Sequence, residues 1–177
     1  MSTVGLTSST TKSSTDWPQS TLSGLTAWRK RVDAVFARFD FEAPDDRQFQ
    51  GSISEHHLGQ LKIFYIAGSE HLVRRSLAHV NYGEVPQTIV TFHLSGNGTV
   101  SRAGTTKAFK PNDIFLLRSN QDFELHYAEP MKTWIVAVPA EVASHQLLSS
   151  MSICGLPMSG ASGPGRIVWD LLGSIVR

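Results

Sequence analysis

The sequence predicts a mainly β protein with flanking helices, an antiparallel barrel or sandwich. Three observations predict it. From Gln87 to Pro139, short period-2 segments follow one another: IVTFHL, TVSR, KAF, IFLLRS, FELHY and TWIVAVP. Tight turns separate them, marked by Ser95-Gly96-Asn97-Gly98, by AGTT and by Lys110-Pro111-Asn112-Asp113. No helical pattern intervenes, and strands of four to seven residues at this spacing close into barrels or sandwiches. A small closed barrel is a cup for a ligand. The side chains lining the cup decide between catalysis and sensing.

Composition narrows the class. The 177 residues suffice for one domain with its own core and terminal appendages. An apolar fraction of 41% and a charged fraction of 18% are those of an ordinary globular protein. The formal net charge of +1 supplies no field that draws the whole chain to nucleic acid or membrane. The single cysteine, Cys154, rules out an internal disulfide and suits a reducing cytoplasm. No cation adjoins it to lower its pKa, so it reads as structural rather than nucleophilic.

The elements follow in order. Residues 1–20, rich in Ser and Thr, read as a flexible arm, neither signal peptide nor membrane span. The alternative is an arm that folds over a ligand or partner. Leu25, Trp28, Val32, Val35, Phe36 and Phe39 recur at helical spacing between Thr21 and Phe39. The basic run Arg29-Lys30-Arg31 within that helix reads as a solvated face. Pro44 and Asp45-Asp46 break it. Two strands, roughly Gln50–Glu55 and Gln60–Ile66, meet through His57-Leu58-Gly59. A turn at Ala67-Gly68-Ser69-Glu70 leads into His71–His79, and Asn81-Tyr82-Gly83 reads as a loop. After the strand series, AEVASHQLLSS reads as a helix with Pro139 in its first turn. The closing segment RIVWDLLGSIVR carries a broad apolar stripe and reaches Arg177 in mid-pattern.

The order of these elements resembles the N-terminal, cupin-like effector-binding domain of AraC/XylS-type transcription activators. Four segments carry the likeness: VRRSLAHV (Val73–Val80), VTFHLSGNGTVSRAG, FKPNDIFLLRS and WIVAVPAEV. Asn112 stands where that family usually has glycine, and Asn tolerates the left-handed backbone the turn needs. The resemblance covers about residues 25–150. It implies a cupin-like antiparallel jelly roll with an N-terminal helix and C-terminal helices. The implied layout is an arm (1–20), a barrel with its leading helix (21–139) and a helical dimerisation or linker region (140–177). It also implies that DNA is read only through a separate C-terminal helix-turn-helix pair, which this chain does not contain.

Cupin barrels also serve as metal enzymes, and that is the alternative reading. Such a site needs His-x-His, a carboxylate and a further His. The seven histidines, His56, His57, His71, His79, His93, His126 and His145, include no His-x-His pair. None follows the Lys110–Asp113 turn at the place the site would need one. His56 and His57 are adjacent, so in a strand they point to opposite faces. Glycine-rich phosphate loops and nucleophile elbows are absent too. The expectation is a binding module without enzyme activity, cofactor or metal. A third alternative is a dimerisation-only module with an empty barrel.

Strand parity nominates the pocket. Val90, Phe92 and Leu94 share one face of their strand, and Trp134, Val136 and Val138 share one face of theirs. These purely apolar sets are expected to point inward, with Leu61, Ile63 and Tyr65, leaving Thr91 and His93 outward. The expected ligand contacts are Tyr65, Phe92 and Trp134, with Arg47 and Arg75 as partners for an anionic group. The expected effector is a small, partly apolar molecule, aromatic or acidic. Trp169, Leu172 and Ile175 of the terminal helix are expected to pair two copies in a homodimer.

Overall fold

The computed structural model describes residues 20–80, 86–142 and 153–176. Thr21–Ser23 forms a short edge strand, β1, where sequence periodicity predicts helix. Gly24 at φ 86° then turns the chain, and helix α1 runs Leu25–Val35. Its spacing buries Leu25, Trp28 and Val32 on one side. Arg29, Lys30 and Arg31 stay exposed, and an Arg29 Nη donates to the Phe41 carbonyl at 3.1 Å. Their solvated reading stands.

Strands β2 (Asp40–Glu42), β3 (Gln50–Leu58), β4 (Leu61–Gly68) and β5 (His71–Arg75) follow, with a short 3-10 turn at Leu77–His79. The main series is β6 (Gln87–Ser95), β7 (Gly98–Arg102), β8 (Thr105–Phe109), β9 (Asp113–Arg118), β10 (Phe123–Tyr127) and β11 (Met131–Pro139). A two-residue strand β12 (Met158–Ser159) and helix α2 (Gly163–Ile175) complete the described chain. The helix expected over AEVASHQLLSS falls mostly on residues 143–152, outside the described residues. So do Asn81-Tyr82-Gly83 and His145.

Turn chemistry explains the crossing from β8 to β9. Asn112 has φ 71°, and the Asp113 N–H donates back to the Lys110 carbonyl at 3.1 Å. Pro111 and Asn112 thus occupy the two central positions of a type II turn, which wants proline first and a positive φ second. The Asp113 carboxylate accepts the Lys110 N–H at 3.0 Å and locks it.

The strands form two antiparallel sheets. One runs β1-β3-β4-β11-β6-β9-β12 and the other β2-β5-β10-β7-β8. Their facing surfaces enclose the main core, which includes Phe64, Phe115, Val100, Phe109 and Tyr127, with Trp28 and Val32 of α1 joining it. A second cluster is separate from that core. It unites Ile63, Phe92, Ile114, Trp134 and Leu172, with Tyr65, Val90, Leu94, Val136, Trp169 and Val176 packed around it. Helix α2 therefore lies against the larger sheet's other face.

This arrangement reverses the parity expected from sequence. Ile89, Thr91 and His93 face the inter-sheet core, and Phe92 and Leu94 face α2. The physical reason is that both faces of this sheet are covered. The apolar set no longer marks the interior when a helix supplies a second apolar environment. Thr91 and His93, 1% and 0% exposed, are the buried polar members of the inner set.

Candidate functional site

Between the sheets lies a small void of about 70 Å³. Its wall draws Trp28 and Val32 from α1, Ile66 from β4, His71 and Val73 from β5, Thr91 from β6, Leu125 and Tyr127 from β10, and Ile135 from β11. Phe36 and Phe39, on the segment joining α1 to β2, and Phe41 of β2 complete that side of the wall. The wall is mostly apolar with a few polar edges, the composition of a small-molecule site.

His71 is the central polar group. It is 2% exposed and boxed by rings: Tyr127 stacks at 5.0 Å and Phe41 at 6.2 Å, with Phe49 edge-on at 5.3 Å. Nδ1 lies 2.6 Å from the Ser69 carbonyl. A carbonyl only accepts, so Nδ1 carries the proton and Nε2 keeps its lone pair. Burial holds the pKa at about 4, against an ordinary 6.5. The ring is neutral at pH 7. Burial likewise pushes the Tyr127 hydroxyl up, so it too stays neutral. His93 packs edge-on to Phe109 and stacks on Tyr127, and its Nε2 bonds the Gly96 carbonyl at 2.7 Å. Its Nδ1 is buried with no partner among the described residues, and burial lowers its pKa.

Beyond Phe36 and Phe39 a wider polar depression of about 640 Å³ opens, lined by Lys30, Asp33, Arg38, Gln87 and Ser119. Phe36, Phe39 and Ile89 belong to both walls. They lie between the apolar void and the polar depression. Phe36 is held by stacking on Phe64 at 4.0 Å.

The structure gathers the predicted residues, but not where strand parity places them. Tyr65, Phe92 and Trp134 lie on the outer face of the larger sheet, under α2. Tyr65 meets Trp134 at 5.0 Å, and Phe92 meets Trp169 at 5.8 Å. None of the three lines the void. Trp169 and Leu172, expected at a dimer interface, fill this same intramolecular seam, Leu172 at 6% exposure. Ile175 is exposed, as are Ile167, Val168 and Leu171 on the helix's other side. Arg75 is buried, as its alternation with Val73 predicts, but backbone carbonyls hold it. Nε donates to Ser119 at 2.9 Å and Nη1 to Arg38 at 2.6 Å, with the guanidinium over Phe39. Arg75 ties β5 to two loops. Arg47 is exposed on the Asp45 turn, its N–H donating to the Asp45 carboxylate at 2.9 Å. Neither arginine lines the void.

Sequence reasoning missed Trp28, His71 and Thr91 as wall residues. Buried alternation at His71, Val73 and Arg75 was the available signal for one of them. Among the described residues, no three His, Cys, Asp or Glu side chains come together as a metal-ligand set. No helix among them is long and apolar enough to cross a membrane.

Residues 28–177 match the AraC-binding-like domain. The chain belongs to that family. This AraC-binding-like domain is also similar in structure to the AraC-like transcriptional activator CuxR, with a TM-score of 0.74 at 14% identity. That similarity covers 89% of this chain and 59% of CuxR, and it shows a shared fold. A putative ethanolamine utilization protein Q from Salmonella typhimurium matches at TM-score 0.40 and 14% identity, over 51% of this chain and 70% of that one. A cupin superfamily protein from Desulfitobacterium hafniense matches at 0.41 and 11%, over 55% and 83%. No curated protein matches the sequence.

Proposed function

We propose that this domain is the sensor of a cytoplasmic transcription regulator and takes a small, largely apolar effector into the barrel. The void walled by both sheets and α1 carries this reading. A cavity of about 150 Å³ admits benzene, so the 70 Å³ void must widen to take an aromatic guest. An aromatic guest enters by swinging Phe36 and Phe39 toward the polar depression that shares them. The acidic half of the expected effector loses its support, because Arg47 and Arg75 lie outside the wall. DNA contact belongs to a part of the full protein outside this chain, which spans 59% of CuxR's length. Calorimetry with a panel of small aromatic molecules, alcohols and sugars tests the reading. If every apolar member of the panel is inert, the barrel is not a receptor.

The second part of the proposal is a homodimer through the outer face of α2. Ile167, Val168, Leu171 and Ile175 form an exposed apolar stripe there, while the opposite side of the helix is already engaged. Two copies of one stripe pair symmetrically. Sedimentation compares the native domain with Leu171→Glu. A native dimer that becomes a folded monomer supports it. A native monomer at high concentration ends it.

A further inference from the structure

We propose that the barrel is built for a neutral guest bearing one hydroxyl, a small phenol or alcohol, held between the indole N–H of Trp28 and Nε2 of His71. The proposal rests on the reading that the barrel takes an effector and specifies its chemistry.

Two observations carry it. Trp28 is 2% exposed, lines the void, and buries its Nε1 with no hydrogen-bond partner among the described residues. Its Cε3–Cζ3 edge lies against Gly51, where an added Cβ would sit 2.6 Å from Cε3. The opposite edge, which carries the nitrogen, is therefore turned away from β3. Leaving a buried donor unpaired is costly, so the native state holds a hydrogen bond in reserve.

The second observation is the His71 ring. Its Nδ1–Cε1 edge faces Gly68 and Ser69, with Nδ1 bonded to the Ser69 carbonyl. Nε2 is then the ring's acceptor, and no hydrogen bond to it is formed among the described residues. The rings of Trp28 and His71 meet edge to face at 6.5 Å, and both line the void. One ring with an unpaired donor and one with an acceptor thus line the same space. A hydroxyl matches both at once, its oxygen accepting from Trp28 and its proton going to His71.

Charge decides against an acid. The titratable wall groups, His71 and Tyr127, are both neutral at pH 7. A carboxylate entering this wall would lose its hydration, meet no cation and face the Nε2 lone pair. A methyl group in place of the hydroxyl would leave both polar edges unpaired, and sites of this kind reject such analogues strongly.

Phenol, toluene and benzoate, similar in shape, form the test by calorimetry at pH 7. Phenol is expected to bind at least about tenfold more tightly than toluene, and benzoate not at all. Trp28→Phe keeps a ring on Gly51 but removes the N–H. It is expected to bring phenol and toluene within about threefold of one another. His71→Phe provides the same comparison from the acceptor side if Trp28→Phe unfolds. Phe36→Ala opens the void, and its phenol preference over toluene is expected to persist. Equal binding of phenol and toluene by the native domain, or benzoate binding, overturns the hydroxyl assignment and leaves the barrel a receptor. Silence of all three probes with both the native domain and Phe36→Ala overturns the assignment and the receptor reading together.

Discussion

Replacing His71 by Phe should remove much of the domain's sensitivity to mild acid. Burial holds the folded imidazole at about 4, while the unfolded chain titrates it at the ordinary 6.5. Between those values the unfolded state binds more protons, so stability rises with pH and is fully present above about 6.5. It is lost as pH falls through 6.5 toward 4. The difference amounts to about 3 kcal/mol, a large share of the 5–15 kcal/mol typical of a whole domain. The groups packed on the ring are Trp28, Phe41, Phe49 and Tyr127, and His126 is the neighbouring charge that acts against protonation. His71→Phe keeps the stacking and abolishes the titration. Urea unfolding of both proteins between pH 7 and pH 4 measures the difference. His93 titrates in both and cancels. The native domain should lose about 3 kcal/mol more than the variant. Parallel stability curves would refute the reasoning, since they would mean that His71 accepts its proton in the folded state at no cost.

Other substitutions probe the frame around the void. Asn112→Gly should leave the melting temperature nearly unchanged, while Asn112→Ala should lower stability by about 1 kcal/mol, because φ is 71° there. Trp169→Ala should cost about 2 kcal/mol and raise binding of a hydrophobic dye, as it uncovers Phe92 on the outer face of the sheet. Arg75→Met preserves the stem but strands the Ser119 and Arg38 carbonyls. Chemical denaturation should show a loss of about 2 kcal/mol, and an unchanged midpoint would contradict the stapling role.

The barrel was legible because its turns are chemically explicit. Lys110-Pro111-Asn112-Asp113 and Ser95-Gly96-Asn97-Gly98 punctuate period-2 runs, and at both the chain crosses from one sheet to the other. Helix α1 was legible from Leu25, Trp28 and Val32, although Thr21–Ser23 pairs with β3 instead of extending it. The family resemblance was legible from the order of the same segments. The wall of the void was not. Alternation on β6 distinguishes Phe92 from Thr91 and His93, but it does not say which side is inside when α2 covers the outer surface. The seam under α2 depends on a contact between residues far apart in the chain, such as Phe92 with Trp169. Local patterning carries no record of it. Arg75 was legible as buried, yet its partners are carbonyls of remote loops, which no side-chain pattern encodes.

The doubly covered sheet has a consequence for how its central strands stay aligned. Sliding β6 past β11 by one residue would exchange guest-facing and helix-facing side chains, yet greasy surroundings await them either way. Solvent avoidance therefore imposes little penalty on the slip. Alignment must come from polar fastenings instead. Thr133 Oγ1 donates to the Phe92 carbonyl at 2.9 Å beside the irregularity at Lys132 and Thr133. This buried hydroxyl acts as an index pin between the two strands.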